Sequence, residues 1–354
     1  MTDQVLFSQE ENGLASITLN RPEAIHSLTY DMLDAIGTKL EEWEQDDRVH
    51  LVVLKSSGDK GFCAGGDIKT LYEAQKSEDG MKRAVAFFKR EYEVDEMVHT
   101  FSKPIIAILD GIVMGGGVGL SYGADYRMVT DKTKWAMPEM NIGFFPDVGA
   151  AYFLNQAPGY TGRYLALTAS VIKAADVLYS EAADYYISKE TLDDFLVFLT
   201  TVDWNQNDVK DALQRAIEKY ASTPPEDSGI RIVQDQIDKH FSNTSVEDVL
   251  QSLDQSATPF TEKTRESILS KSPCSLKVTI QQLIDGEGKS IRECLDRDFT
   301  IAKNFLLHDD FYEGVRSVLI DKDHQPDYKY KRLSDVDDKL VERFFTKENI
   351  ASRK

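Results

Sequence analysis

Two acidic residues, Glu139 and Asp147, lie eight positions apart in a segment that is otherwise apolar or rich in glycine and proline. A carboxylate partly removed from water can act as a general base or as a nucleophile toward a carbonyl carbon. Upstream, Gly115, Gly116 and Gly117 form an uninterrupted triplet. Consecutive glycines allow a tight turn with uncovered N–H groups, and such groups stabilise the oxyanion that forms when a carbonyl is attacked. These residues point to chemistry at an acyl carbonyl.

Both features also have a purely structural interpretation. A glycine triplet is often only a tight turn, and an acid that follows a proline, as in Pro138-Glu139, is often a helix cap. The residue pattern alone leaves the catalytic and the structural interpretation open.

The acids and glycines need elements that position them. The apolar, β-branched run at 105–109 predicts a buried strand, and residues 118–125 after the triplet predict a helix whose positive N-terminal end points back at the turn. The order of strand, glycine loop and helix also occurs at 51–75. Two glycine loops can supply two N–H donors to one oxygen atom, which is what an oxyanion hole requires.

The remaining patterns predict how the chain is organised. Asn12-Gly13 between two β-prone runs predicts a hairpin, and Thr29 can cap a helix with apolar residues at helical spacing. Beyond about residue 200 the periodic segments are helical. We therefore predict a core at 1–200 that carries these acids and glycines, and a helical C-terminal region at 201–354 packed on it.

The overall charge limits the classes of partner. Among the 354 residues, 60 acids outnumber 41 bases, for a formal charge of −19. This excess argues against nucleic acid or an anionic membrane as a partner. No stretch approaches the roughly 20 apolar residues of a membrane span. An anionic small ligand would need local basic residues that outweigh this overall negative charge.

The cysteines and the start of the chain predict a compartment. The three cysteines, Cys63, Cys274 and Cys294, are odd in number and have no metal-ligand spacing, which favours a reducing compartment over a disulfide framework. The acidic start has no apolar signal core. We therefore expect a cytoplasmic protein without a metal.

Several motifs resemble a known family. The segments at 62–68, 114–120 and 136–139 resemble the enoyl-CoA hydratase/isomerase (crotonase) superfamily. Within it, Phe-Pro-Asp-Val-Gly at 145–149 and the segment at 311–323 are similar to the hydrolases that cleave 3-hydroxyacyl-CoA thioesters in valine breakdown. The second set of motifs is the more specific one, and the resemblance extends over nearly the whole chain.

The resemblance implies a fold and a site. The fold is α/β, a crotonase-like spiral of ββα units with a helical C-terminal region. The oxyanion donors are the N–H groups of Gly66 and Gly116, and Glu139 and Asp147 are the catalytic acids. Glu91 helps to form the substrate site. The substrate is an acyl-CoA, so coenzyme A is part of the substrate and no separate cofactor is expected; the oligomeric state is left open.

Departures from the superfamily pattern separate its reactions. Hydratases usually carry a first glutamate where this chain has Gly119, and a glycine where it has Asp147. Hydration normally uses two glutamates, so the loss of one argues against hydration and leaves isomerisation and hydrolysis. Asp147 would give a hydrolase its second acid. An enoyl-CoA isomerase or hydratase, and a non-catalytic acyl-CoA-binding protein, remain as alternatives. Glu23 and His26 replace a lysine and an asparagine that are common in relatives, which puts one CoA phosphate contact in doubt.

Overall fold

The computed structural model describes residues 3–206 and 208–347. Its contacts divide the chain into two compact units, the first made of Met1–Gly66, Glu93–Ala136 and Val171–Gly229, and the second of Asp67–Tyr92, Met137–Ser170 and Ile230–Lys354. Segments of the two units alternate along the chain, so this division differs from the predicted one at residue 200. That residues 1–200 fold as a core of their own stays a prediction. Residues 207 and 348–354 of the predicted C-terminal region lie outside the described residues.

The strands belong to the first unit and form two sheets. In chain order they are β1 Val5–Gln9, β2 Leu14–Leu19, β3 Leu51–Ser56, β4 Gly61–Cys63, β5 Ile105–Leu109, β6 Ile112–Met114, β7 Tyr126–Val129, β8 Lys134–Ala136, β9 Ile172–Lys173 and β10 Tyr185–Tyr186. One sheet has the order β1-β2-β3-β5-β7-β10 and the other the order β4-β6-β8-β9. The predicted hairpin joins β1 to β2 in antiparallel register, and β2, β3, β5, β7 and β10 run parallel.

Successive strands alternate between the two sheets, so that β3, β5 and β7 enter the larger sheet and β4, β6 and β8 enter the smaller one. Each change of sheet needs a sharp corner. At the corner between β5 and β6, Gly111 has φ +76°, and a Cβ there would lie 2.7 Å from the carbonyl oxygen of Lys60. Only glycine fits such a position. This alternation corresponds to the predicted ββα units, in which the two strands of a unit belong to different sheets.

The helices are as follows, in chain order: α1 Tyr30–Glu44, α2 Ile68–Tyr72, α3 Glu78–Thr100, α4 Gly116–Tyr122, α5 Ala150–Leu154, α6 Thr161–Thr168, α7 Ala174–Tyr179, α8 Lys189–Thr201, α9 Val209–Tyr220, α10 Gly229–Phe241, α11 Val246–Asp254, α12 Pro259–Leu269, α13 Pro273–Asp285, α14 Ile291–Phe305, α15 Asp309–Val315 and α16 Asp338–Phe344. Short 3-10 segments lie at Pro22–Ala24, Glu73–Lys76, Glu139–Ile142 and Leu333–Asp335, and a π-helix at Arg316–Ile320.

Local sequence explains where many helices begin. The Thr29 side chain accepts the Met32 N–H, as its capping position predicts. In the second unit, Ser290 and Glu293 form a capping box at the start of α14. The named elements after Thr201 are all helical. No helix among residues 3–206 and 208–347 combines the length and the apolar composition needed to cross a bilayer.

Candidate active site

In the first unit, the glycine triplet lies where β6 ends and α4 begins. Gly115 has φ +52°, a conformation that residues with a side chain rarely adopt. The helix begins at Gly116, two residues before the predicted start. Gly65, in the loop after β4, comes so close that a Cβ on it would lie 3.4 Å from the Gly116 nitrogen and 3.1 Å from the Met114 carbonyl oxygen. The fold thus brings the two predicted glycine loops into contact.

This arrangement leaves two N–H groups available. Among the described residues, neither Gly66 nor Gly116 donates a backbone hydrogen bond. Gly116 is the first residue of a helix, where N–H groups have no intrahelical acceptor. The loop before Gly66 is held because the Gly65 carbonyl accepts the Leu28 N–H at 2.8 Å. Two uncommitted donors on held loops are chemically suited to an oxygen atom that becomes negative.

Cys63 serves this region by packing. Its Sγ lies 3.2 Å from the carbonyl oxygen of His26, and the side chain is fully buried. A Cβ on Gly117 would lie only 2.7 Å from the Cβ of Cys63, so α4 contacts the end of β4 directly. His26 is also buried and accepts the Arg21 N–H at 2.9 Å. Both environments fit structural residues.

In the second unit, Glu139 begins the short 3-10 helix Glu139–Ile142. Its side chain is 7% exposed, and its Oε2 has no hydrogen-bond partner among the described residues. Burial, followed by the negative charge of Asp147, raises the pKa of Glu139 well above its usual value. A poorly solvated carboxyl with a raised pKa is suited to accept a proton or to attack an electrophile.

Two glycines allow α15 to pack tightly against the helix that begins at Glu139. Gly143, with φ +65°, ends that helix, and a Cβ on it would lie 2.1 Å from the Asp310 carbonyl oxygen. A Cβ on Gly314 would lie 2.2 Å from the carbonyl carbon of Ile142. The motif at 311–323 therefore supports the segment that carries Glu139.

Replacing Gly314 by Ala is expected to lower the free energy of unfolding by about 1–3 kcal/mol, because the new methyl group meets rigid backbone. Any catalytic activity of Glu139 should fall with it. Urea unfolding measures the first effect. Gly229→Ala is the control, since its Cβ would have only ordinary contacts with Asp176. A Gly314→Ala protein as stable as the control would contradict the packing argument.

Asp147 lies in the loop before α5. Its Oδ2 accepts a hydrogen bond of 2.6 Å from the Tyr92 hydroxyl, and its side chain is 4% exposed. Burial raises the pKa of Asp147 to about 7, against the opposing effect of the Tyr92 hydrogen bond. No side chain caps the N-terminus of α5 within the described residues, and the Asp147 carbonyl, not its carboxylate, accepts the Ala150 N–H. The Asp147 carboxylate therefore does not cap α5.

Aromatic rings explain why this part of the second unit is poorly solvated. Phe144 stacks on Phe88 with ring centroids 5.6 Å apart, and Phe145 stacks on Phe305 at 5.4 Å. Phe311 completes the cluster, 5.2 Å from Phe144. The rings pack around the segment between the two acids and exclude water from it, as the apolar sequence there predicted.

Three residues that the sequence analysis missed surround Asp147. Tyr92 binds its carboxylate, as described above. Asp298 is fully buried and accepts the Gly149 N–H at 2.8 Å. Gln282 donates to both Asp298 and the Pro146 carbonyl, each at 2.8 Å. Burial raises the pKa of Asp298 to about 8. Nothing local marks these residues, because Asp298 and Gln282 belong to helices far along the chain.

Glu91 precedes Tyr92 on α3 and is 2% exposed. Burial is the main cause that raises the pKa of Tyr92 well above its usual value. The negative charges of Asp147, Asp298 and Glu91 raise it further. The second unit thus brings these acids into electrostatic range of one tyrosine. No group of acids, histidines or cysteines among the described residues is arranged to hold a metal ion.

Comparison with known families identifies the class of protein. The chain matches the family described as enoyl-CoA hydratase/isomerase over residues 14–345. It therefore belongs to the enoyl-CoA hydratase/isomerase family, and the predicted fold class is confirmed. A solved structure described as a carnitinyl-CoA dehydratase from Mycobacterium thermoresistibile is 33% identical, with a TM-score of 0.90 over 99% of this chain and 98% of that one.

Individual relatives show which named proteins the chain is similar to in sequence over nearly its whole length. The proteins named mitochondrial 3-hydroxyisobutyryl-CoA hydrolase from Gallus gallus and Danio rerio are each 38% identical, over 95% and 97% of this chain and 87% and 89% of their own. A protein named small ribosomal subunit protein mS47 from Neurospora crassa is 36% identical over 94% of this chain and 68% of its own. The prediction of a cytoplasmic protein is wrong by this comparison, because the hydrolase relatives are named mitochondrial.

Proposed function

We propose that the protein hydrolyses the thioester of 3-hydroxyisobutyryl-CoA, and of 3-hydroxypropionyl-CoA, to the free acid and coenzyme A. The observation that carries the proposal is the buried pair of carboxyls, Glu139 and Asp147, each with a raised pKa, in a chain with glycine at position 119. The hydrolase relatives, 38% identical over nearly the whole chain, support the same reaction.

In the proposed mechanism, the thioester carbonyl oxygen accepts hydrogen bonds from the N–H groups of Gly66 and Gly116. As the carbonyl carbon becomes tetrahedral, these donors bind the developing negative charge, and one such donor contributes about 3 kcal/mol. Glu139 either removes a proton from the attacking water or attacks the carbonyl itself to form an anhydride that water then cleaves. In the first route the tetrahedral intermediate breaks its carbon–sulfur bond, and the proton taken from water passes from Glu139 to the coenzyme A thiolate. In the second route the carbon–sulfur bond breaks as the anhydride forms and coenzyme A leaves as the thiolate. Water then cleaves the anhydride to the free acid and the Glu139 carboxylate, and its proton goes to the thiolate.

Asp147 and Glu91 would form the part of the site that binds the substrate. The Tyr92 hydroxyl occupies one oxygen of the Asp147 carboxylate, and the other oxygen can accept the 3-hydroxyl group of the acyl chain. A buried acceptor that loses its partner costs free energy, so such a site discriminates against acyl chains without the hydroxyl by up to about 10⁴-fold. This is the basis proposed for a preference for 3-hydroxyacyl chains.

The experiment that tests the proposal is the release of free thiol from a panel of acyl-CoAs. The panel compares 3-hydroxyisobutyryl-, 3-hydroxypropionyl-, isobutyryl- and crotonyl-CoA. We expect the highest kcat/KM with the 3-hydroxyacyl thioesters. Absence of thiol release from every member of the panel would rule the proposal out.

The dehydratase description of a close structural neighbour supports a second candidate, reversible hydration of an enoyl-CoA. Gly119 argues against it, since hydration normally needs a second glutamate there. We expect the loss of enoyl absorbance from crotonyl-CoA to be at least about ten-fold slower than thiol release from 3-hydroxyisobutyryl-CoA. Hydration at a comparable rate would favour the hydratase.

A non-catalytic role is the third candidate, and similarity to a protein named as a ribosomal subunit component supports it. Binding of acyl-CoA without turnover would favour this role. The retained Glu139 and Asp147 argue for an enzyme, because buried carboxyls cost stability that a purely structural protein has no reason to retain.

The proposed reaction belongs to valine breakdown and needs no cofactor, because coenzyme A is part of the substrate. The five proposed site residues, Gly66, Glu91, Gly116, Glu139 and Asp147, all fall within residues 1–200, which we propose as the part of the chain that carries the acyl-CoA site.

A further inference from the structure

The loop that carries Asp147 has an unfavourable backbone conformation. Val148 has φ +52°, and Gly149 has φ +81°. Glycine adopts this region freely, but a β-branched residue such as valine is a rare and strained occupant of it. Such a conformation persists only where the surrounding structure holds it in place. Contacts from other parts of the chain must therefore stabilise this loop.

Asp298 and Gln282 hold this loop on both sides of Asp147. After Asp147, the Gly149 N–H donates to Asp298 Oδ2 at 2.8 Å. Before it, the Pro146 carbonyl accepts the Gln282 side-chain amide at 2.8 Å, and the same amide donates to Asp298 Oδ1. Asp298 and Gln282 are both fully buried, so water does not compete for these bonds.

We propose that Asp298, together with Gln282, is a positioning residue that fixes the backbone on both sides of Asp147 and thereby aims the Asp147 carboxylate at the substrate hydroxyl. The inference rests on the proposed function for the identity of that hydroxyl. Tyr92 holds the carboxylate itself, and Asp298 holds the main chain from which it projects. Asp298 touches no reacting atom in this proposal.

The two acceptor oxygens of Asp298 explain why an acid holds this loop. Burial, and after it the negative charge of Asp147, raises the pKa of Asp298 and so disfavours its charged form. A neutral side chain would hold the loop with less electrostatic cost. A carboxylate, however, offers two acceptor oxygens, and both are used here by N–H donors.

The chain contains a matched control for Asp298. Asp238 accepts the Tyr160 N–H at 2.9 Å and the Gln234 side-chain amide at 2.8 Å, and that amide also reaches the Pro158 carbonyl at 3.3 Å. The same three kinds of bond therefore hold a different loop of the second unit, at 158–160. None of the proposed site residues lies in that loop.

The test compares Asp298→Ala with Asp238→Ala in the full chain. Amide hydrogen exchange at Gly149 is expected to become at least about ten-fold faster in the first variant only, because the buried hydrogen bond from the Gly149 N–H to Asp298 is lost. The ratio of kcat/KM for 3-hydroxyisobutyryl-CoA over isobutyryl-CoA should fall about ten-fold or more in Asp298→Ala and stay within about two-fold in Asp238→Ala. In an Asp147→Gly background, Asp298→Ala should change this ratio no further.

Asp298→Asn is the second variant if Asp298→Ala does not fold, since it keeps the volume and removes one acceptor oxygen. An unchanged substrate ratio in a folded Asp298 variant overturns the inference while the proposed function stands. If the unaltered protein cleaves neither thioester, the proposed function fails, and exchange at Gly149 then decides alone: faster exchange supports the holding role of Asp298, and unchanged exchange overturns it.

Discussion

Glu139→Gln is expected to abolish thioester hydrolysis while the fold stays intact. The substitution keeps the shape of the side chain but removes the group that would accept the proton of water or attack the carbonyl. Loss of a general base lowers the rate by about 10²–10⁴-fold. Thiol release from 3-hydroxyisobutyryl-CoA measures the loss, and circular dichroism confirms the fold. More than about a tenth of the original turnover would assign the base to another residue.

The same variant has an expected effect on stability that depends on pH. Because the pKa of Glu139 is raised in the folded protein, its contribution to stability is present below the unfolded pKa and is lost as the pH rises through the folded pKa. Glutamine does not ionise. The Tm of Glu139→Gln relative to the unaltered protein should therefore be higher at about pH 9 than at about pH 5.

Glu287→Gln is the control for both measurements, because Glu287 is an exposed glutamate in the same unit. It should leave the turnover unchanged, and its difference in Tm from the unaltered protein should not change with pH. If Glu139→Gln shows no gain in Tm at the higher pH, the carboxyl is better solvated than its burial indicates. A gain in Tm together with a loss of turnover would show that the buried carboxyl of Glu139 serves activity and lowers stability.

Asp147→Gly is expected to remove the preference between acyl chains with and without a 3-hydroxyl group. Glycine is common at this place in hydratases of the family, and it adds no bulk. The measurement is kcat/KM for 3-hydroxyisobutyryl-CoA and for isobutyryl-CoA in both proteins. If Asp147 accepts the hydroxyl hydrogen bond, the first value falls by a larger factor than the second.

Other outcomes assign Asp147 a different role. Equal loss with both substrates would mean that it serves the chemical step and not recognition. Unchanged rates with a lower Tm would mean a structural role only. The pH profile gives an independent readout, because the charge of Asp147 raises the pKa of Glu139. Its removal should lower that pKa and move the acidic limb of the kcat/KM profile to lower pH.

Features that depend on neighbouring residues could be predicted from the sequence. Asn12-Gly13 predicted the hairpin between β1 and β2, and Thr29 predicted the start of α1, because turn and cap preferences act over a few residues. The motifs also identified the family. They predicted Glu139 and Asp147 as site residues, and these roles stay a prediction. The compartment was predicted wrongly, since cysteine usage separates oxidising from reducing compartments but does not separate one reducing compartment from another.

The environment of the acids could not be predicted, because it depends on long-range packing. Tyr92, Gln282 and Asp298 contact the loop of Asp147 from distant parts of the chain, and no periodic pattern marks such long-range partners. The close packing of Gly314 on Ile142 is of the same kind. The raised pKa values of Glu139 and Asp147 arise from burial, and burial depends on which side chains the whole fold packs around a residue, not on its neighbours in sequence.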